Sequence, residues 1–259
     1  MGKQHLAFVE ACAEPVRGMR LLFLSCAGLS ASAKPGQYVM VRCGQAHDPY
    51  LRYPLPIHRF MGGQGIALLF RPLGAGLSWL GARRVGDALD LIGPCGHGYD
   101  LPQPGASLSL VSWGLGLAPL LGILDHTSGA VRLVVHAPTS QQLYPRELLP
   151  RQVEYVPYVG QRDNEGFWQA VAESCRWGER LYAAGVSARD LADAGGAFRR
   201  LRQAVGMGSL GLRPAPAQIW VEAEMACGQG YCQGCLVETR RGPRRACVEG
   251  PVFDLAELG

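Results

Sequence analysis

The sequence predicts a multi-domain chain of α/β plus β class. An antiparallel β-barrel covers residues 1–103, a parallel α/β domain covers 104–214, and a small cysteine-rich segment covers 215–259. Three observations carry that division. At 259 residues the chain is long for one simple core and suits two domains and an appendage. Its first hundred residues read as short strands between turn signals, whereas from residue 105 strand-like and helix-like runs alternate. Four of its nine cysteines crowd into the last 33 residues.

Composition narrows the classes further. A hydrophobic content of 48% excludes disorder, and the 35 glycines show no collagen period. A net charge of +4 is too weak a bias to argue for a nucleic-acid partner. Lys3 and Lys34 are the only lysines, so nearly all the positive charge is arginine. No apolar run approaches the ~18–20 residues of a membrane span, and the start MGKQHLAFVEACAEP does not read as a signal peptide. A cytoplasmic chain with no membrane partner is therefore expected. The odd cysteine count argues against a disulfide framework.

In the barrel, LAFVEAC, MRLLFLSC, QYVMVRC, GIALLFRP and DALDLIGP read as strands separated by Gly, Pro and Asp. Regular short strands without long helical patterns suggest a closed antiparallel barrel. Between them lie a Lys34-Pro35-Gly36-Gln37-Tyr38-Val39 turn, an Arg52-Tyr53-Pro54-Leu55-Pro56-Ile57 stretch and a Gly74-Ala75-Gly76-Leu77-Ser78 loop opening a short helix. A glycine-rich loop at a helix start offers free N–H groups and the positive end of the helix dipole, which suits a pyrophosphate. Arg52 could meet the same group with a bidentate contact. Each element alone has a plain alternative, a solvated arginine or an ordinary turn.

In the middle segment, SLSLVS reads as a strand and WGLGLAPLLGILDH as a glycine turn running into a helix. VRLVVHA, VEYVPY and RLYAAG read as further strands and GFWQAVAES as a helix. Leu191, Ala194, Phe198, Leu201 and Val205 recur at spacings of three and four, predicting an amphipathic helix over 188–205. Such alternation indicates a parallel sheet that binds ligands at the carboxyl ends of its strands. His136, Asp163 and Glu165 show no catalytic spacing.

The tail, MACGQGYCQGCLVETRRGPRRACVEGPVFD, holds Cys227, Cys232, Cys235 and Cys247 in a C-x4-C-x2-C spacing with a later fourth. That is the plant-type ferredoxin arrangement for a [2Fe–2S] cluster. Three thiolates on one tight loop need a backbone that curls freely, and Gly228, Gly230 and Gly234 are interspersed with them. CLVETRRGPRRAC then reads as a hairpin turning at Arg241-Gly242-Pro243. A four-cysteine zinc site and two disulfides are the alternatives, though zinc usually takes two C-x2-C pairs. Cys12, Cys26, Cys43, Cys95 and Cys175 read as buried thiols.

The order P-G-Q-Y-V, R-x-P, G-x-G-x-S-x-L, G-D, G-P-x-G resembles the FAD-binding barrel of the ferredoxin–NADP reductase superfamily. The resemblance implies FAD contacts at Arg52, Tyr53, Pro54, Leu55, Gly76, Leu77 and Ser78. The hydroxyl residue usual after the arginine is absent, since Leu55 and Pro56 stand there. Gly114-Leu115-Gly116-Leu117-Ala118-Pro119 is similar to that family's NAD(P) turn, implying contacts at Gly114 and Gly116. Ser112 and Trp113 replace its preceding glycines, and Ala184-Gly185-Val186-Ser187-Ala188-Arg189 keeps only the glycine of the C-G-P turn. Two alternatives stand there: a working NAD(P) site, or a retained fold with an altered one. Barrel, α/β domain and cluster segment in this order resemble the electron-transfer subunits of class-B dihydroorotate dehydrogenase. The resemblance implies an FMN-containing catalytic partner in a heterotetramer, with electrons passing from FMN through [2Fe–2S] and FAD to NAD+. Another flavin/iron–sulfur reductase subunit, of hydrogenase or transhydrogenase type, and a zinc-stabilised non-redox module are the alternatives.

Overall fold

The computed structural model describes residues 2–44, 49–161, 164–193, 196–208 and 216–259. Seven strands build the first sheet: β1 (Lys3–Ala13), β2 (Arg20–Ser25), β3 (Tyr38–Val41), β4 (Tyr53–Pro56), β5 (Arg59–Met61), β6 (Gly65–Phe70) and β7 (Ala88–Cys95). Their order is β4-β3-β7-β1-β2-β6-β5, antiparallel throughout. The expected closed barrel is a curled sheet whose edge strands β4 and β5 do not pair, although β4 packs against β6. Leu22, Leu24, Val39, Val41, Ile66, Leu68 and Leu91 fill its interior. Short helices α1 (Ala27–Ser32) and α2 (Gly74–Gly81) sit in its connections. Tyr53–Pro56 of the stretch placed between strands is itself a strand, β4. Its prolines are tolerated because β4 is an edge strand.

The second sheet takes β8 (Leu108–Trp113), β9 (Val131–Ala137), β10 (Val153–Val159), β11 (Arg180–Ser187), β12 (Ala217–Glu222) and a later antiparallel strand, β15 (Val252–Asp254). Its order is β10-β9-β8-β11-β12-β15. All of β8 is buried, as a parallel strand covered on both faces must be. Helix α3 (Glu165–Trp177) follows β10, and the Asn164 side chain caps it by accepting from the N–H groups of Gly166 and Phe167. Helix α4 (Ala197–Gly208) buries Phe198, Leu201, Ala204 and Val205.

Three expectations change here. The helix expected after Trp113 is two 3-10 turns, Gly114–Leu117 and Leu121–Asp125, because two glycines and Pro119 deny a regular helix. The helix expected over 188–205 starts at Ala197. Before it, Asp190 accepts the Ser187 N–H and forms a turn, and Ala194 lies outside the described residues. The tail expected over 215–259 supplies two strands of the second sheet, β12 and β15. Between them, the expected hairpin is present as β13 (Leu236–Val237) and β14 (Arg244–Arg245), followed by α5 (Ala246–Glu249).

The Pro35-Gly36-Gln37-Tyr38 turn joins all three parts. Gly36 has φ +87, a conformation open mainly to glycine, and its carbonyl accepts the indole N–H of Trp220 on β12 at 2.9 Å. Gln37 donates to the Gly96 carbonyl at 2.7 Å, and the Tyr38 hydroxyl donates to the Cys247 carbonyl at 3.0 Å.

Candidate cofactor sites

A cleft of about 310 Å³ lies between the two sheets. Pro54, Leu55 and Pro56 of β4 form one wall, and Arg71, Leu73 and Leu77 flank it around the start of α2. Leu115, Ala118 and Pro119 face them from the turn after β8, with Trp220, Glu222 and Met225 completing the lining. The lining is mostly apolar, as a ring-shaped ligand requires, with charge confined to Arg71 and Glu222.

No side chain caps α2 at its start, where Leu73 is 65% exposed, so its first N–H groups remain available. Gly76 lies against the Tyr53 ring, which a β-carbon at that position would overlap. The Ser78 hydroxyl donates back to the Pro72 carbonyl at 3.3 Å. Arg52 is not among the cleft-lining residues. Its guanidinium donates to the Asp90 carboxylate at 2.6 Å and to the Asp90 carbonyl at 2.9 Å. Burial alone would raise the Asp90 carboxyl, but hydrogen bonds from Arg52 and Gln4 and the nearby arginine charges hold it below its ordinary range. The arginine expected to meet a pyrophosphate therefore already has an anionic partner.

Arg71, not singled out in the sequence, lines the cleft; its carbonyl accepts the Leu73 N–H, but its guanidinium has no hydrogen bond or ion pair among the described residues. Its place immediately upstream of the glycine loop is the signal that could have found it. An unpaired guanidinium beside an uncapped helix start fits a pyrophosphate, and the apolar walls fit the rings of a flavin.

At the second sheet, strand order reverses between β8 and β11, which is where open α/β sheets bind ligands. Gly114 has φ +61 and Gly185 φ +112. Gly116 abuts the Ala184 carbonyl and Gly185 the Trp113 carbonyl, so the two turns interlock with no room for side chains. The Trp113 indole does not cover Gly114 and packs instead on Gly185 of the second turn. The ring is buried edge-on to Phe167 and Trp168 of α3, at centroid distances of 6.3 and 5.8 Å. The Ser112 hydroxyl and the Trp113 indole nitrogen are buried without hydrogen-bond partners among the described residues. His136 is buried and bonds the Gln161 carbonyl at 2.9 Å, Glu165 pairs with Arg200, and Asp163 lies outside the described residues. No catalytic group emerges from these three.

The tail gathers its cysteines as two pairs, Cys227 with Cys232 and Cys235 with Cys247. Among the described residues no three metal-binding side chains converge on one point as a single ion would need. Burial acts to raise the Cys227 thiol, but N–H groups of Cys232, Gln229 and Tyr231 and the Cys232 thiol together hold it down to about 6. Burial first, and then the neighbouring Cys235, push Cys247 up, against one N–H contact from Gly230. Gly228 at φ +63 and Gly230 at φ +84 give the loop its curl, and Arg245 ties it to α5 by donating to the Gly230 carbonyl at 3.3 Å. Four thiols in two pairs, with backbone N–H groups aimed at sulfur, are a donor set that fits a two-iron cluster. Tyr38 is fully buried beside them. Burial first, then Cys95, Cys247, Cys235 and Cys227, raise its phenol well above the ordinary range.

Comparison with known proteins agrees with this anatomy. Among solved structures, a NADH-dependent reduced ferredoxin–NADP oxidoreductase studied for flavin-based electron bifurcation superposes with a TM-score of 0.76 at 20% identity. That match covers 100% of this chain and 91% of the other. A ferredoxin reductase of carbazole 1,9a-dioxygenase gives 0.63 at 19% identity over 82% and 67%. These likenesses establish a ferredoxin-reductase-like fold. In sequence, the dihydroorotate dehydrogenase B (NAD(+)) electron transfer subunit of Desulforamulus reducens is 29% identical over 85% of each chain. That of Clostridium perfringens is 25% identical over 88% of each. Residues 222–259 match the family described as the iron–sulfur cluster binding domain of dihydroorotate dehydrogenase B. The chain is thus similar along most of its length to the dihydroorotate dehydrogenase B electron transfer subunits, and its last 38 residues match that enzyme's iron–sulfur cluster binding domain.

Proposed function

We propose that this chain is the electron-transfer subunit of a class-B dihydroorotate dehydrogenase. It would carry electrons from the FMN of a dihydroorotate-oxidising partner, through [2Fe–2S] and FAD, to NAD+ in pyrimidine biosynthesis. The adjacency of cleft and cysteine loop carries this reading: Met225 lines the cleft two residues before Cys227. When bound, FAD exchanges single electrons with the cluster and a hydride with NAD+, the conversion such a chain must make.

The chain's own residues hold and orient. Arg71 and the open start of α2 take the FAD pyrophosphate, while Tyr53, Gly76, Leu77 and Ser78 shape that corner. Pro54 and Leu55 wall the flavin ring, and Arg52 supports the barrel through Asp90. Cys227, Cys232, Cys235 and Cys247 ligate the cluster, with backbone N–H groups offsetting its charge. Gly114 presents exposed, bare backbone to NAD+ where the strand order reverses, while Gly116, expected to do the same, is buried against the Ala184 carbonyl and serves to let the two turns close on each other. No acid–base pair is needed in this chain.

Functionally the chain divides into 1–103 for FAD, 104–214 for NAD and 215–259 for the cluster, the last also lending β12 and β15 to the second sheet. Cys232, Tyr231 and Leu236 are exposed around the cluster loop and give a catalytic partner an approach in a heterotetramer. A cytoplasmic setting suits a chain whose nine cysteines are all outside disulfides. Among the described residues no helix is long and apolar enough to cross a membrane. Co-expression with the FMN subunit tests the proposal: the purified complex reduces NAD+ when given dihydroorotate. A stable complex that oxidises dihydroorotate only with artificial acceptors would refute it.

A further inference from the structure

Strand β3 pairs with the cleft-lining strand β4 on one side and reaches the cysteine loop with its side chains. Tyr38 pairs across the ladder with Pro56, and Met40 with Pro54, and both prolines line the cleft. Opposed residues share a face, so Tyr38 and Met40 lie on the prolines' side of the sheet. Their side chains end at the cysteine loop: Met40 packs on Gly228, and the Tyr38 hydroxyl donates to the Cys247 carbonyl at 3.0 Å. Tyr38 is 0% and Met40 1% exposed, and both belong to the core that contains Met225, Cys235 and Cys247. Water is thus excluded from the contact, and a hydrogen bond there acts in a low-dielectric setting.

We propose that Tyr38 is a positioning residue for electron transfer: its hydroxyl pins Cys247 to β3, the strand that pairs with the cleft wall, and sets the reduction potential of the cluster. The donated bond places the positive end of the O–H dipole toward the peptide of a cluster ligand. Reduction adds negative charge to the cluster, so this dipole favours the reduced form, and its removal moves the potential negative. The inference rests on the proposed cluster ligation and assigns a role to a residue that ligates nothing.

The test compares the whole chain with Tyr38→Phe, which removes only the hydroxyl. Iron content, flavin content and the visible spectrum are measured first, and then the cluster potential is followed by electron paramagnetic resonance during a redox titration. Both proteins retain cluster and flavin, and in the variant the ratio of reduced to oxidised cluster at fixed potential falls about tenfold, which is about 59 mV for a one-electron couple. An intact cluster with an unchanged potential would overturn the inference. If Tyr38→Phe does not hold a cluster, difluorotyrosine at position 38 keeps the shape and donates more strongly. The potential then moves positive, and no movement would overturn the inference. Absence of a cluster from the unmodified chain would instead refute the proposed function.

Discussion

Replacing Arg71 by alanine separates two accounts of how the FAD pyrophosphate is held. Arg71 lines the cleft beside the uncapped start of α2, where Leu73 supplies no capping side chain. Its guanidinium has no other partner among the described residues, so its charge is free for an anion. A hydrogen bond to a charged group contributes ~1.5–3 kcal/mol, and tenfold in affinity is ~1.4 kcal/mol. Arg71→Ala therefore weakens FAD binding by about tenfold to about a hundredfold, with little change in folding. Arg52→Ala does the reverse. It removes a 2.6 Å contact to the Asp90 carboxylate and a 2.9 Å bond to the Asp90 carbonyl, at 20% and 23% side-chain exposure. That costs about 1–2 kcal/mol of barrel stability, or several degrees in Tm, while FAD affinity stays within about threefold. Equilibrium dialysis of FAD against each apoflavoprotein, with a thermal melt beside it, reads both quantities. Normal FAD affinity in Arg71→Ala with lost affinity in Arg52→Ala would refute this assignment and restore the arginine singled out from the sequence.

Other outcomes follow from the same contacts. Cys232→Ser abolishes the cluster's electron paramagnetic resonance signal yet leaves FAD bound; a full signal would exclude Cys232 as a ligand. Gly76→Ala drives a methyl into the Tyr53 ring and lowers stability by about 1–3 kcal/mol, and Tyr53→Leu in the same chain relieves much of that loss. His58 is fully buried between the Ala118 carbonyl and the Tyr144 hydroxyl, and burial lowers its pKa from 6.5 to about 4. Between these values the unfolded chain binds the proton more readily, so this contribution is whole above pH 6.5. It fades as pH falls toward 4, by up to about 3 kcal/mol. Urea unfolding of the chain and of His58→Gln across that range shows the two curves converging at low pH, whereas parallel curves would contradict the assignment.

Much of the architecture was legible because periodicity survives burial. Five barrel strands and the runs VRLVVHA, VEYVPY and RLYAAG fall where alternation or aliphatic continuity placed them. The cysteine spacing and its glycines foretold a curled loop followed by a hairpin. Three things were hidden. Strand β4 was masked by its prolines, which signal a break anywhere but at a sheet edge. Strands β12 and β15 belong to a sheet begun over a hundred residues earlier, and no local pattern reports such a partner. The roles of Arg52 and Arg71 depended on which of them finds a carboxylate, and Asp90, which decides it, is 38 residues from Arg52.

Whether this chain connects a hydride carrier to a one-electron cluster is decided by an anaerobic NADH titration of the purified chain. The flavin band bleaches and a reduced-cluster resonance signal appears with it; in Cys232→Ser the resonance signal is lost and the flavin bleaching remains. A chain that carries zinc in place of iron, or whose bound flavin and cluster stay oxidised through excess NADH, would contradict it.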